Sequence, residues 1–106
     1  MKRTGIAISA ATALMVSAVL AVSAFAATKT ITIRDNLFSP KSVSVSKGTT
    51  VKWVWRGNAP HNVTFKKLGE ASDTTESGTF KLRFKQAGTY KYMCTVHGFK
   101  GKITVG

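Results

Sequence analysis

Apolar and polar residues alternate with a period of two through most of the chain after residue 28, and no segment there keeps a helical spacing. Between residues 49 and 55, Val51, Trp53 and Trp55 fall on one face. A strand places alternate side chains on opposite faces of a sheet, so this segment is predicted to be a strand with both tryptophans buried. Further alternating segments lie at 29–34, 43–45, 61–65, 80–84, 89–93 and 102–105, and turn residues, among them Asp35 and Asn36, separate them.

Seven or eight short strands joined by turns are typical of an all-β fold. We expect a two-sheet Greek-key β-sandwich whose strands run antiparallel. The one long connection, residues 66–78, is rich in Gly, Ser and Thr and holds Glu70, Asp73 and Glu76, three of the four acids. That composition predicts a mobile surface loop.

Residues 1–26 have the profile of a secretory signal peptide. Lys2 and Arg3 precede an uncharged run, and a small-x-small pattern ends at Ala26. We expect cleavage there, which leaves one domain of residues 27–106. An uncleaved membrane anchor is the alternative, disfavoured because Ala and Ser make the run weakly apolar. We therefore expect an exported protein of the periplasm, cell surface or extracellular space, without stable membrane insertion after cleavage.

The chain is strongly basic, with a formal net charge of +12 from 16 Lys and Arg against 4 acids. Export argues against nucleic acid as the partner. The positive charge would then serve binding to acidic proteins, binding to anionic membrane or cell-wall surfaces, or solubility. One small core also excludes a large multi-domain enzyme. We expect a monomer.

The chain contains one cysteine, Cys94, and two histidines, His61 and His97. Cys94 and His97 lie three positions apart at the end of a predicted strand, and His61 begins another. A thiolate with two imidazoles suits copper or zinc rather than magnesium or calcium. Two alternatives are a cysteine buried as a small apolar residue and a structural zinc site, which lacks a fourth strong donor. A Cys-His nucleophile is disfavoured because so small a domain has little room for a substrate cleft.

Three motifs carry a family resemblance: NAPHNV at 58–63, GTYKYMCTVH at 88–97 and GKITV at 101–105. In this order they resemble the small blue copper proteins, the plastocyanin, amicyanin and pseudoazurin group of cupredoxins. The resemblance covers essentially all of residues 27–106. It implies a cupredoxin sandwich that holds one copper ion, Cu(I) or Cu(II), and transfers single electrons between redox partner proteins.

The resemblance also implies residue roles. His61, Cys94 and His97 correspond to the three equatorial copper ligands, and Asn62 to the residue that joins the two ligand loops beside the thiolate. The exposed edge of His97 corresponds to the point where the electron leaves. The docking rim around that edge would comprise Ala59, Pro60, Gly98 and Phe99.

The sequence departs from the family at the axial ligand, because no methionine occurs between residues 97 and 102. Counted back from the Gly101-Lys102 pair, the position of the family's methionine falls on Phe99. Counted forward from His97 by the shortest loop of the family, it falls on Lys100. We hypothesise a three-coordinate, trigonal site with Phe99 shielding the axial direction, which would favour Cu(I) and raise the reduction potential. The alternatives are an axial water or Glu70, or the backbone carbonyl of Pro60.

These observations favour a copper electron carrier over two other classes. The loss of the axial methionine keeps a copper carrier or sequestration protein as the alternative. A copper enzyme is disfavoured, since multicopper oxidases and nitrite reductases flank this cysteine with histidines, whereas Met93 and Thr95 flank it here. Lys100 and Lys102 lie beside the ligand loop and predict an acidic redox partner.

Overall fold

The structure is a computed structural model that describes residues 27–106, so the predicted leader, residues 1–26, lies outside the described residues. Within that range the chain forms nine strands and no helix long and apolar enough to cross a membrane. The strands are β1 (Thr28–Arg34), β2 (Leu37–Ser39), β3 (Ser42–Val45), β4 (Thr49–Trp55), β5 (Thr64–Phe65), β6 (Glu70–Ala71), β7 (Thr79–Phe84), β8 (Gly88–Met93) and β9 (Lys100–Val105).

The strands form two sheets, which confirms the predicted sandwich class. One sheet has the order β2-β1-β4-β7, and the other has the order β3-β9-β8-β5-β6. The expectation that all strands run antiparallel is wrong, because β1 pairs with β4 and β3 pairs with β9 in parallel. Parallel neighbours need a crossover connection, and the chain makes one by passing to the other sheet for β3 between β1 and β4.

Strand β4 behaves as its alternation predicts. Its inward residues Val51, Trp53 and Trp55 are buried, with exposed fractions of 0%, 0% and 5%. The residues between them are only half-buried because they face away from the other sheet. Lying between β1 and β7, β4 forms the centre of its sheet.

Aromatic rings join the two sheets around Trp53. Its ring meets Phe65 of β5 with centroids 5.7 Å apart and Tyr92 of β8 at 5.4 Å, both edge-on. Burying side chains of this size contributes about 1.5–3 kcal/mol each relative to leaving them exposed. The same contacts hold the positions of β5 and β8, the strands that follow His61 and precede Cys94.

Two strands were not predicted, β2 and β6. Strand β2 pairs with β1 across a two-residue turn, Asp35 and Asn36, where Asn36 has a φ of 69°. Asparagine tolerates this left-handed conformation, so the turn signal was correct but the strand after it was too short to recognise. Strand β6 lies within the long connection and pairs with β5.

The long connection is not the free loop that its composition suggested. The Ser72 backbone N–H donates to the Val63 carbonyl at 2.9 Å, and His61 and Thr75 exchange two backbone hydrogen bonds of 2.9 and 3.1 Å. The strand predicted at 61–65 is correspondingly shorter, with regular pairing only at Thr64–Phe65. Residues 70–75 thus form a hydrogen-bonded edge beside the segment that carries His61.

We expect substitution of Gly101 by alanine to destabilise the domain by about 1–3 kcal/mol, because a Cβ there would overlap the ring of Tyr92. Urea unfolding of the metal-free protein measures the change. Gly106→Ala is the matched control, since nothing lies within 4 Å of its Cβ position and both changes remove the same backbone freedom from the unfolded chain. Equal stability of the two variants would contradict the predicted overlap.

Candidate metal centre

The structure brings His61, Cys94 and His97 together at one end of the sandwich. Cys94 directly follows β8, His97 lies in the turn after it, and His61 precedes β5. The Cys94 Sγ atom is 3.8 Å from Nδ1 of His61 and 3.9 Å from Nδ1 of His97. The candidate ligand atoms all lie within 4.8 Å of one another.

These distances fit a shared metal ion. Zinc bonds of about 2.3 Å to sulfur and about 2.0–2.1 Å to nitrogen, set at a trigonal angle of about 120°, place the sulfur and nitrogen about 3.7–3.8 Å apart. The observed separations are close to that range. One thiolate with two imidazole nitrogens is also the donor set of blue copper electron-transfer sites, in which a fourth, axial ligand is weak and distant.

The three side chains differ in their access to solvent. His61 and Cys94 are fully buried, whereas His97 is exposed. A metal ion held between them would therefore be shielded by protein except along the His97 ring. This arrangement agrees with the sequence expectation that the second histidine has an open edge.

Backbone hydrogen bonds close the loop that carries Cys94 and His97. The Cys94 N–H donates to the Phe99 carbonyl at 2.9 Å, and the Gly98 N–H donates to the Cys94 carbonyl at 2.8 Å. Gly98 has a φ of 83°, a left-handed conformation that glycine adopts without steric cost. The loop is thereby held as a compact turn before β9 begins.

Asn62 connects the loop of His61 to the loop of Cys94 through hydrogen bonds to Thr95. Its Oδ1 accepts the Thr95 backbone N–H at 3.0 Å, and its Nδ2 donates to Thr95 Oγ1 at 2.8 Å. It also donates to Thr74 Oγ1 at 2.9 Å and accepts from Thr64 Oγ1 at 2.9 Å. Asn62 is buried, so these four bonds satisfy an amide that would otherwise be costly to bury.

Asp35 contacts the site and was not predicted. Its Oδ1 lies 2.9 Å from Nε2 of His61, although the two residues are 26 positions apart. The carboxylate also accepts the backbone N–H groups of Ala59 at 2.9 Å and Asn58 at 3.0 Å. These hydrogen bonds lower the pKa of Asp35 to about 2 because they stabilise the ionised carboxylate. The bond from Ala59 has the largest effect, followed by those from Asn58 and His61. The sequence offered only a turn signal at Asp35.

The axial candidates occupy different places. Phe99 packs against both histidines, edge-on to His61 with ring centroids 5.2 Å apart and stacked with His97 at 6.3 Å. Phe38 of β2 packs against Phe99, with ring centroids 4.6 Å apart. Lys100 and Pro60 are exposed.

The acidic alternative finds no support in residues 27–106. There the cluster of candidate donors consists of the two histidines and the cysteine, and Glu70 is not part of it. Glu70 instead pairs with Phe65 in the β5–β6 hairpin.

Comparison with known proteins decides the family. The sequence model of the Cupredoxin-like domain matches residues 5–105. The chain belongs to the cupredoxin-like family. It is 36% identical over 107 residues to amicyanin-alpha of Methylorubrum extorquens, covering 93% of this chain and 90% of that protein. It is 40% identical over 70 residues to the amicyanin of Paracoccus versutus, covering 59% of this chain and about half, 53%, of that protein.

A solved structure supports the same assignment. The purple cupredoxin of Nitrosopumilus maritimus is 26% identical and superimposes with a TM-score of 0.62, over 74% of this cupredoxin and 99% of that chain. Family membership together with the donor geometry makes His61, Cys94 and His97 a candidate copper site.

We expect Asn62→Ala to destabilise the metal-free cupredoxin by about 1–3 kcal/mol, because it leaves the Thr95 backbone N–H without its buried acceptor. Chemical denaturation measures the effect. Asn58→Ala is the control, since Asn58 is exposed on the same loop and contacts Asp35 only through its backbone. A cost for Asn62→Ala no larger than that for Asn58→Ala would contradict the linking role.

Proposed function

We propose that this cupredoxin is an exported one-electron carrier that holds one copper ion between His61, Cys94 and His97. The observation that carries the proposal is the convergence of one buried sulfur and two histidine nitrogens, with sulfur–nitrogen distances of 3.8 and 3.9 Å. The family supports copper as the metal. The membership of the amicyanin and plastocyanin group supports electron transfer between partner proteins.

When bound, the copper ion supplies the one-electron chemistry. The protein contributes a fixed donor geometry. The buried His61 and Cys94 are held by Asp35 and by the closed loop, so few atoms need to move when the charge of the site changes. The exposed ring of His97 is the part of the site that is open to a partner, and Ala59, Pro60, Gly98 and Phe99 are proposed as the docking rim.

Phe99 is proposed as the axial shield. Its ring packs on both imidazoles and is held by Phe38, which supports exclusion of water from that side of the donor set. A site without an axial donor would favour Cu(I) and have a raised potential.

Loading the protein with Cu(II) tests the site. We expect an intense blue colour from charge transfer between the Cys94 thiolate and copper, and its loss in Cys94→Ser. Visible and spin-resonance spectra report both. A red or green spectrum would contradict the shielded trigonal site, and a spectrum unchanged by Cys94→Ser would contradict the ligand set.

The carrier function needs its own test. An electron carrier shows a reversible potential and fast self-exchange while it retains the metal. Quantitative transfer of copper to an acceptor protein, without reversible electrochemistry, would instead support the copper-carrier alternative.

An acidic partner is supported by the lysines near the site. Lys100 begins β9 and lines an open hollow on the five-stranded sheet together with Lys66, Lys67 and Lys91. All four are exposed. Four cations around one concave surface attract a negatively charged protein and orient it towards the adjacent ligand loop.

We expect electron exchange with an acidic redox protein to slow as ionic strength rises, because salt screens the lysines. Lys100→Glu should slow exchange several-fold at low salt. Lys81→Glu makes the same charge change at an exposed position of β7, in the other sheet, and should have a smaller effect. Stopped-flow rates measure both variants, and a rate independent of salt would argue against an acidic partner.

A further inference from the structure

Asp35, in the turn between β1 and β2, contacts the imidazole of the candidate ligand His61. Of residues 27–106, Asp35 is the acid that contacts the metal cluster, and its side chain remains 40% exposed while His61 is fully buried. The carboxylate is enclosed by the loop that leads into His61. A Cβ on Gly57 would collide with it, so glycine permits this close approach.

The direction of each hydrogen bond follows from the partners. The backbone N–H groups of Asn58 and Ala59 only donate, so both carboxylate oxygens act as acceptors, and these bonds favour the ionised form of Asp35. An ionised carboxylate also accepts from His61, which places a ring hydrogen on Nε2 and leaves Nδ1 with the lone pair in the neutral imidazole that metal ligation requires. The Nδ1 lone pair then faces Cys94 Sγ at 3.8 Å.

His97 provides the internal comparison. In the described part of the chain its ring hydrogen-bonds to no carboxylate, and it is exposed. The two imidazoles thus face the same sulfur with different partners: the Asp35 carboxylate hydrogen-bonds to His61, whereas no carboxylate of residues 27–106 does so to His97.

We propose that Asp35 is a positioning residue that presets His61 as a metal ligand before metal arrives and lowers the reduction potential of the bound copper. The proposal rests on the proposed copper site. A carboxylate hydrogen-bonded to a ligating histidine fixes the ring and raises its basicity. Its negative charge also stabilises the more positive oxidation state, so removing the charge should raise the potential.

The first experiment needs no metal. Nitrogen NMR of the metal-free protein reports the tautomer of each histidine. We expect His61 to be the Nε2–H form in the wild type and in Asp35→Asn, whose amide oxygen still accepts, but mixed in Asp35→Ala. A wild-type His61 in the Nδ1–H form, or one unchanged in Asp35→Ala, would overturn the positioning role even if copper binds as proposed.

The second experiment measures the metal-loaded protein. We expect Asp35→Ala to weaken metal affinity by about 10- to 100-fold in a chelator competition. The potential should rise in both Asp35 variants. Asp73→Asn is the control, because it removes the same charge from a residue that makes no side-chain hydrogen bond to His61.

Potential shifts in the Asp35 variants no larger than in Asp73→Asn would overturn the electrostatic part. Asp35→Asn keeps the test valid if Asp35→Ala does not fold. Failure of the copper site itself would appear separately, as wild-type protein that shows the expected His61 tautomer yet binds no copper.

Discussion

The edge-on contacts of Trp53 with Phe65 and Tyr92 are the interaction on which the site depends. They join the two sheets through strands that lie next to the candidate ligands, because β5 follows His61 and β8 precedes Cys94. Strands β5 and β8 are neighbours in one sheet, and the packing of Trp53 against both of them supports the pairing that brings His61 close to Cys94. The packing of the core and the geometry of the metal centre are therefore coupled.

Hydrogen bonds around the metal centre hold the donor side chains in place without metal. Asn62 ties the His61 loop to the Cys94 loop, and Asp35 ties the same loop to the β1–β2 turn. Each contact constrains backbone that would otherwise have to be ordered when a metal binds. A ligand set held in advance avoids that entropic cost and limits the rearrangement between oxidation states.

The sequence predicted what depends on local pattern. Alternation located most of the strands and the buried face of Trp53 and Trp55, and residue chemistry singled out Cys94 and the histidines. Parallel pairing, β6 and the Asp35–His61 contact were not predictable, because each joins segments distant in the chain or too short to show a period. Asp35 in particular has the ordinary appearance of a turn residue, and its partner is 26 positions away.

The parallel pairing of β3 with β9 matches Val45 with Val105, two residues that are far apart in the sequence. One sheet therefore lacks its second strand until the C-terminal segment is available, and β8 cannot be enclosed before then. Pairings of such long sequence separation must be closed at a large entropic cost, which slows folding relative to folds with local contacts. The domain can complete its fold only after β9 is available, and loss of β9 would leave the edges of β3 and β8 open to pairing with other chains.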